Sequence, residues 1–154
     1  MEFLPISINV TNKKILLIGG GRIASHKIGF IQPFTKNITV IAKVVIEDVK
    51  KKEVNWIEKA YEKSDLENYF LVYACTNIIE LNEQIKHDAE SLGILCNVVD
   101  NPKMCDFVSH AIYKRGIYSV AVSSNAQDVY KAIEIRNKIK EILDNDTSLF
   151  NNPA

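Results

Sequence analysis

The sequence predicts a doubly wound, mostly parallel α/β sheet followed by a small α+β region. Three observations carry this. Apolar runs of four or five residues, as in strands buried on both faces, alternate with segments of helical periodicity through Asp100. A glycine cluster, Gly19-Gly20-Gly21, stands where the first such run gives way to the first helix. Beyond residue 106 the alternation stops, and two strand-like runs lead into one long amphipathic segment.

Residues 6–10 are short and apolar and predict an edge strand. Ile15-Leu16-Leu17-Ile18 is a continuous apolar run ending at the glycines, the pattern of a buried parallel strand. Ile23, Ala24, Ile28 and Ile31 then recur at helical spacing until Pro33 closes the stretch. Gly29, inside that helix, reads as a point of close packing on the sheet. Residues 38–42 are β-branched and predict a second strand. Residues 47–52 read as a weak charged helix, residues 54–57 as a strand and residues 70–74 as another buried strand. Leu81, Ile85 and Ala89 mark a helix that Gly93 ends with a left-handed cap. Residues 94–99 form the next strand. Residues 107–113 and 117–122 then read as a hairpin with Gly116 in the turn, and Val129, Ala132, Ile133, Ile139 and Ile142 form one helical face. The tail, residues 144–154, is polar and is expected to be mobile.

The 154 residues suffice for one domain with a small appendage, and a core of that size needs no staple. Lys+Arg and Asp+Glu both number 19, so there is no global field for nucleic acid or membrane, and an anionic ligand needs local groups. No apolar run is long enough to span a bilayer, and no secretory leader is visible. The three cysteines, Cys75, Cys96 and Cys105, lack CxxC spacing and fit a reduced cytoplasm. Cys75 and Cys96 read as core fillers; Cys105 stays open. His26, His87 and His110 are not spaced as metal ligands, so no metal site is expected.

Gly19-Gly20-Gly21-Arg22-Ile23-Ala24 fits G-x-G-x-x-G/A in the strand-to-helix context that this dinucleotide fingerprint requires. Gly19 permits the tight turn, Gly21 lets a pyrophosphate approach the backbone, and Ala24 lets the helix pack close to the sheet. The acidic residue that normally ends the second strand and binds the ribose is missing. Lys43 stands there instead, which leaves NAD held by backbone groups, NADP held by Lys43 and a merely solvated lysine all open. Asn97-Val98-Val99-Asp100 lies at the end of a late strand, on the ligand side of such sheets. Ala121-Val122-Ser123-Ser124-Asn125 joins a strand to the last helix, where Ser124 alone reads as an N-cap.

Together these segments resemble the NAD-dependent siroheme synthase, or precorrin-2 dehydrogenase, family. The likeness also takes in Leu4-Pro5-Ile6, Ser25-His26-Lys27, Thr76-Asn77, Leu81-Asn82, Cys105-Asp106-Phe107 and Ile135-Arg136-Asn137. The resemblance implies a Rossmann-like NAD-binding domain over residues 1–106 and a substrate and dimerisation region over residues 107–143. It puts cofactor contacts on Gly19, Gly20, Gly21, Arg22, Ile23, Lys43 and Val44, with Thr76 at a further strand end. It makes Asp100 the catalytic carboxylate and Ser124 the active-site serine. It implies a cytoplasmic homodimer that oxidises precorrin-2 to sirohydrochlorin with NAD, and in some members inserts iron as well. Arg22, Lys27, Lys103, His110, Lys114, Arg115 and Arg136 are candidate partners for the substrate's carboxylates. The chain departs from the family at Asn125-Ala126, where Gly-Gly is usual, and at His110, where proline is usual. The competing reading is a non-catalytic NAD-sensing module, since a fold does not fix a function.

Overall fold

The structure, a computed structural model, describes residues 1–146. Among these, residues 6–107 form one compact unit, and residues 1–5 with 108–146 form the other.

The first unit contains β1 (Ile15–Gly20), α1 (Arg22–Ile31), β2 (Ile38–Val45), α2 (Glu47–Lys50), β3 (Asn55–Glu58), β4 (Leu71–Ala74), α3 (Ile79–Ser91) and β5 (Leu95–Val98). The five strands are parallel in the order β3-β2-β1-β4-β5. The pleat sends Ile15 and Leu17 to one face, against Ala24, Ile28 and Ile31 of α1. It sends Leu16 and Ile18 to the other, against Ile85 and Ala89 of α3. Both faces are covered, which is why the first strand reads as an unbroken apolar run. The chain leaves β1 for β2 on one side and returns through β4 on the other. That reversal opens a crevice at the carboxyl ends of β1 and β4.

Several expectations are corrected. Residues 6–10 form no strand: Thr11 donates its N–H to the Asn9 side chain (2.9 Å), and Lys13 donates to the Val10 carbonyl (3.0 Å) in a turn with Asn12 at φ 58°. The second strand runs to Val45, so Lys43 and Val44 lie within it. The hairpin begins at Ala111, because residues 105–107 are held on β5 instead. Asp106 accepts the Cys96 N–H (2.9 Å), and Asn97 Nδ2 donates to the Phe107 carbonyl (2.8 Å). Gly29 packs against nothing; it is exposed, with open space where a Cβ would stand. Gly29→Ala is therefore expected to stabilise the fold by about 1 kcal/mol, read as a higher denaturation midpoint at unchanged slope.

The second unit holds β6 (Ala111–Arg115) and β7 (Tyr118–Val122), an antiparallel hairpin with Gly116 at φ 57°, and α4 (Val129–Asn145). Arg115 and Arg136 donate to the carbonyls of Leu143 and Ile112, both at 2.9 Å, and so fasten the helix to the hairpin. Val129 and Ile142, expected on the covered face, are exposed; Ala132 is the buried residue of α4. The helix also takes in residues 144–145 of the expected tail, while residues 147–154 lie outside the described residues. Asp128 caps α4 by accepting the Lys131 N–H (2.8 Å), so the cap is four residues beyond Ser124. Asn125 and Ala126 both take positive φ, 52° and 59°. These are the two positions where the resemblance leads one to expect glycine, and positive φ is the conformation that favours glycine. Asn125 anchors it with its side chain, accepting from the Phe3 N–H (3.1 Å) and donating to Glu2 (2.8 Å). A left-handed alanine has no such bond to offset its strain. Ala126→Gly should raise stability by roughly 0.5–1 kcal/mol, the relief of strain less the extra freedom of the unfolded chain, measurable as a shift in thermal midpoint.

Candidate functional site

The three loop glycines have different physical reasons. Gly19 has φ 117°, and a Cβ there would lie 2.6 Å from the Cys75 carbonyl oxygen at the end of β4. A Cβ on Gly20 would lie 2.5 Å from the Val44 carbonyl oxygen on β2, where the β1–β2 register shifts. Gly21 is the N-cap of α1 in ordinary extended backbone, and a Cβ there would meet nothing within 4 Å. The first N–H groups of a helix have no intrahelical acceptor, and no side chain caps this end. Open space over Gly21, bare N–H groups and a fully buried Ala24 behind them fit a pyrophosphate.

The other cofactor candidates share this edge of the sheet. Arg22 and Ile23 open α1 and are exposed, as are the side chains of Lys43 and Val44. No carboxylate ends β2. The acid beside it, Glu58 on β3, accepts the Val45 N–H (3.1 Å) and pairs with Lys50 (3.0 Å). Those bonds hold Glu58 below the usual carboxylate range. Thr76 follows β4, but its hydroxyl is committed to Asn82 Oδ1 (2.7 Å) and the turn at Ile78 (3.1 Å). Asn82 also accepts the Thr76 N–H and donates to its carbonyl. Asn82, buried on α3, fixes the turn beside Gly19; in the sequence it is visible only as part of Leu81-Asn82.

Asp100 follows β5 at the same edge, exposed and at φ 63°. Left-handed backbone is uncommon for any residue but glycine, and asparagine and aspartate tolerate it best. Around it, Cys105 Sγ receives the Val98 N–H (3.2 Å) and Asn97 Nδ2 (3.4 Å). Burial pushes the Cys105 thiol up, so it acts as a structural bridge between β5 and its loop. Cys75 and Cys96 are buried and pushed up to about 12 by desolvation, as core thiols are. Lys27, read from the sequence as a candidate partner for carboxylates, stands on α1. Its ammonium lies 5.6 Å from the centroid of the Tyr73 ring; burial draws its pKa down, while Cys75, Cys105 and Asp100 oppose that shift.

Thus Gly19, Gly20, Gly21, Arg22, Ile23, Lys43, Val44, Thr76 and Asp100 all stand on the carboxyl edge of one parallel sheet. Ser124 belongs to the other unit, where its Oγ accepts the Asp128 N–H (3.2 Å). Among the described residues, no group of three or more His, Cys, Asp or Glu could hold a metal ion, and no helix is long and apolar enough to cross a membrane.

Known proteins match this arrangement. The chain is 35% identical over 147 residues to the siroheme synthase of Baumannia cicadellinicola and 33% identical over 149 residues to that of Buchnera aphidicola. These alignments cover 93% and 94% of this chain, but the chain spans only 32% of either relative's length. The solved structure of SirC, precorrin-2 dehydrogenase, superposes with a TM-score of 0.77 at 24% identity, covering 90% of this chain and 70% of that one, and so shares the fold. Residues 6–111 match the family described as "Putative NAD(P)-binding". Because that match takes in the whole parallel sheet and its glycine loop, the chain belongs to this NAD(P)-binding family.

Proposed function

We propose that the chain is an NAD-dependent dehydrogenase that oxidises precorrin-2 to sirohydrochlorin. The observation that carries this is Asp100, an exposed carboxylate in left-handed backbone on the sheet edge that also bears the glycine loop. Strained backbone of this kind persists where the surroundings impose it, and it clusters at working sites. The names of the relatives supply the substrate class.

The glycine loop and the first turn of α1 would hold the pyrophosphate, and the ends of β2 and β4 would flank the rest of the nucleotide. When bound, the nicotinamide supplies the hydride acceptor. The substrate then loses one hydride and one proton, and Asp100 takes the proton and passes it to water. Arg22 and Lys103 are exposed cations on this unit for the substrate's carboxylates. Arg136 belongs to the other unit, where it donates to the Ile112 carbonyl and fastens α4 to the hairpin. Purified protein mixed with precorrin-2 and NAD should generate NADH absorbance. Nucleotide binding without turnover would favour the NAD-sensing module instead.

The same Asp100 would serve iron insertion by taking pyrrole protons, and iron uptake by sirohydrochlorin tests that second step. A homodimer built through the second unit is part of this reading. A hairpin and one helix bury little of their own, and Ile117, Tyr130 and Ile142 stay exposed. A solution mass of two chains is expected. Free thiols fit a cytoplasmic setting.

A further inference from the structure

In a dinucleotide-binding sheet an acid at the end of the second strand usually takes the ribose hydroxyl of the adenosine. Here β2 ends without one: Ala42 is followed by Lys43, Val44 and Val45. A carboxylate reaches the same place from the next strand. β3 pairs with β2 so that Glu58, its last residue, stands beside Ala42. Residues paired in register share a face of the sheet, and the Ala42 methyl lies 3.0 Å from where a Cβ on Gly20 would stand. One small residue therefore separates Glu58 from the glycine loop. Two consecutive N–H groups complete the join: Ile46 donates to the Gly20 carbonyl (3.0 Å) and Val45 donates to Glu58 Oε1 (3.1 Å). The same Oε1 meets the Lys50 ammonium (3.0 Å), which lies over the Trp56 ring (4.8 Å from its centroid). A carboxylate has about four acceptor positions, so these bonds fix Glu58 in place and leave Oε2 able to accept another.

We propose that Glu58 replaces the missing acid of β2 and sets a preference for NAD over NADP: its Oε2 accepts the adenosine 2′-hydroxyl, and its charge repels a 2′-phosphate at that point. The inference rests on the reading that lays the nucleotide over the glycine loop. Lys43 and Lys50 are cations on the same side that suit a phosphate, but Lys50 is engaged by Glu58. The preference therefore turns on this one carboxylate.

Calorimetric titration of the full chain with NAD, NADP and NAD lacking the adenosine 2′-hydroxyl tests this without turnover. The wild type should bind NAD more tightly than NADP, and roughly 10–100-fold more tightly than the 2′-deoxy form, the worth of a hydrogen bond to a charged group. In Glu58→Gln an amide oxygen still accepts the Val45 N–H, so the fold should stand. Its preference for NAD over NADP should fall by roughly 10–100-fold, because the charged acceptor is gone and Lys50 is released toward the phosphate. A merely structural role would weaken both cofactors alike and leave their ratio unchanged. Two results would overturn the inference: the same ratio in Glu58→Gln as in the wild type, or equal binding of NAD and its 2′-deoxy form by the wild type. The second needs no variant and stands even if Glu58→Gln fails to fold. Gly21→Val separates this inference from the reading beneath it. If Gly21→Val loses nucleotide while Glu58→Gln keeps the wild-type ratio, only the role of Glu58 falls. If Gly21→Val binds NAD as the wild type does, the placement of the nucleotide falls and the role of Glu58 with it.

Discussion

Asp100→Asn is expected to lower NADH formation from precorrin-2 by roughly 10²–10⁴-fold, the usual loss when a general base is removed. Nucleotide affinity should stay near the wild-type value, because Asp100 follows β5 and lies outside the glycine loop. Asparagine is the right replacement. It is nearly isosteric, and it tolerates the φ of 63° that Asp100 adopts. Alanine would add a strain of about 1–2 kcal/mol for a left-handed L-residue and so mix folding with chemistry. Ser124→Ala is the control from the second unit. Its Oγ accepts a backbone N–H from Asp128, so a local loss near 1 kcal/mol is expected, with a smaller effect on rate. Single-turnover rates at saturating NAD would separate the two variants. A dead Ser124→Ala beside a fully active Asp100→Asn would reverse the roles assigned here.

The parallel sheet was legible because its strands are buried on both faces. Leu16 and Leu17 point opposite ways and both have no exposure, so no polar residue interrupts the run. What was not legible depended on partners that only the folded chain supplies. Ile6, Ile8 and Val10 alternate like a strand, yet a strand needs a neighbour, and the segment joins neither sheet and ends in a turn where the Val10 carbonyl accepts the Lys13 N–H. Lys43 and Val44 look like a strand end because they are exposed; the ladder continues through them because Gly20 pairs with Val45 beyond the register shift. Ser124, Asn125 and Asp128 are all capping residue types within five positions, and the spacing alone could not decide among them. The lie of the Lys27 side chain was not legible for a different reason. A lysine between Ala24 and Ile28 can snorkel outward or lie down against the sheet, and only the neighbouring Tyr73 ring and strand-end groups decide which.

Gly21→Val should remove most nucleotide binding while leaving the fold almost untouched. The argument is a comparison among three adjacent glycines. A side chain on Gly19 or Gly20 would collide with backbone of β4 or β2, at 2.6 Å and 2.5 Å, so those variants should fail by unfolding. A side chain on Gly21 meets only open space, and its φ of −92° suits any residue. The fold therefore has no need of glycine at this position. The residue is explained by what must come close to it, and a valine would fill the space over the first-turn N–H groups that a pyrophosphate must occupy. A loss of at least about 100-fold in NAD affinity is expected, equivalent to about 2.7 kcal/mol. Calorimetric titration with NAD, beside thermal unfolding without nucleotide, reads both quantities on one preparation. Gly21→Ala should fall between, since one methyl narrows the approach without closing it. A folded Gly21→Val that binds NAD as the wild type does would mean that the nucleotide does not lie over α1, and the assignment of Gly19, Gly20, Gly21, Arg22 and Ile23 to the cofactor would fall together.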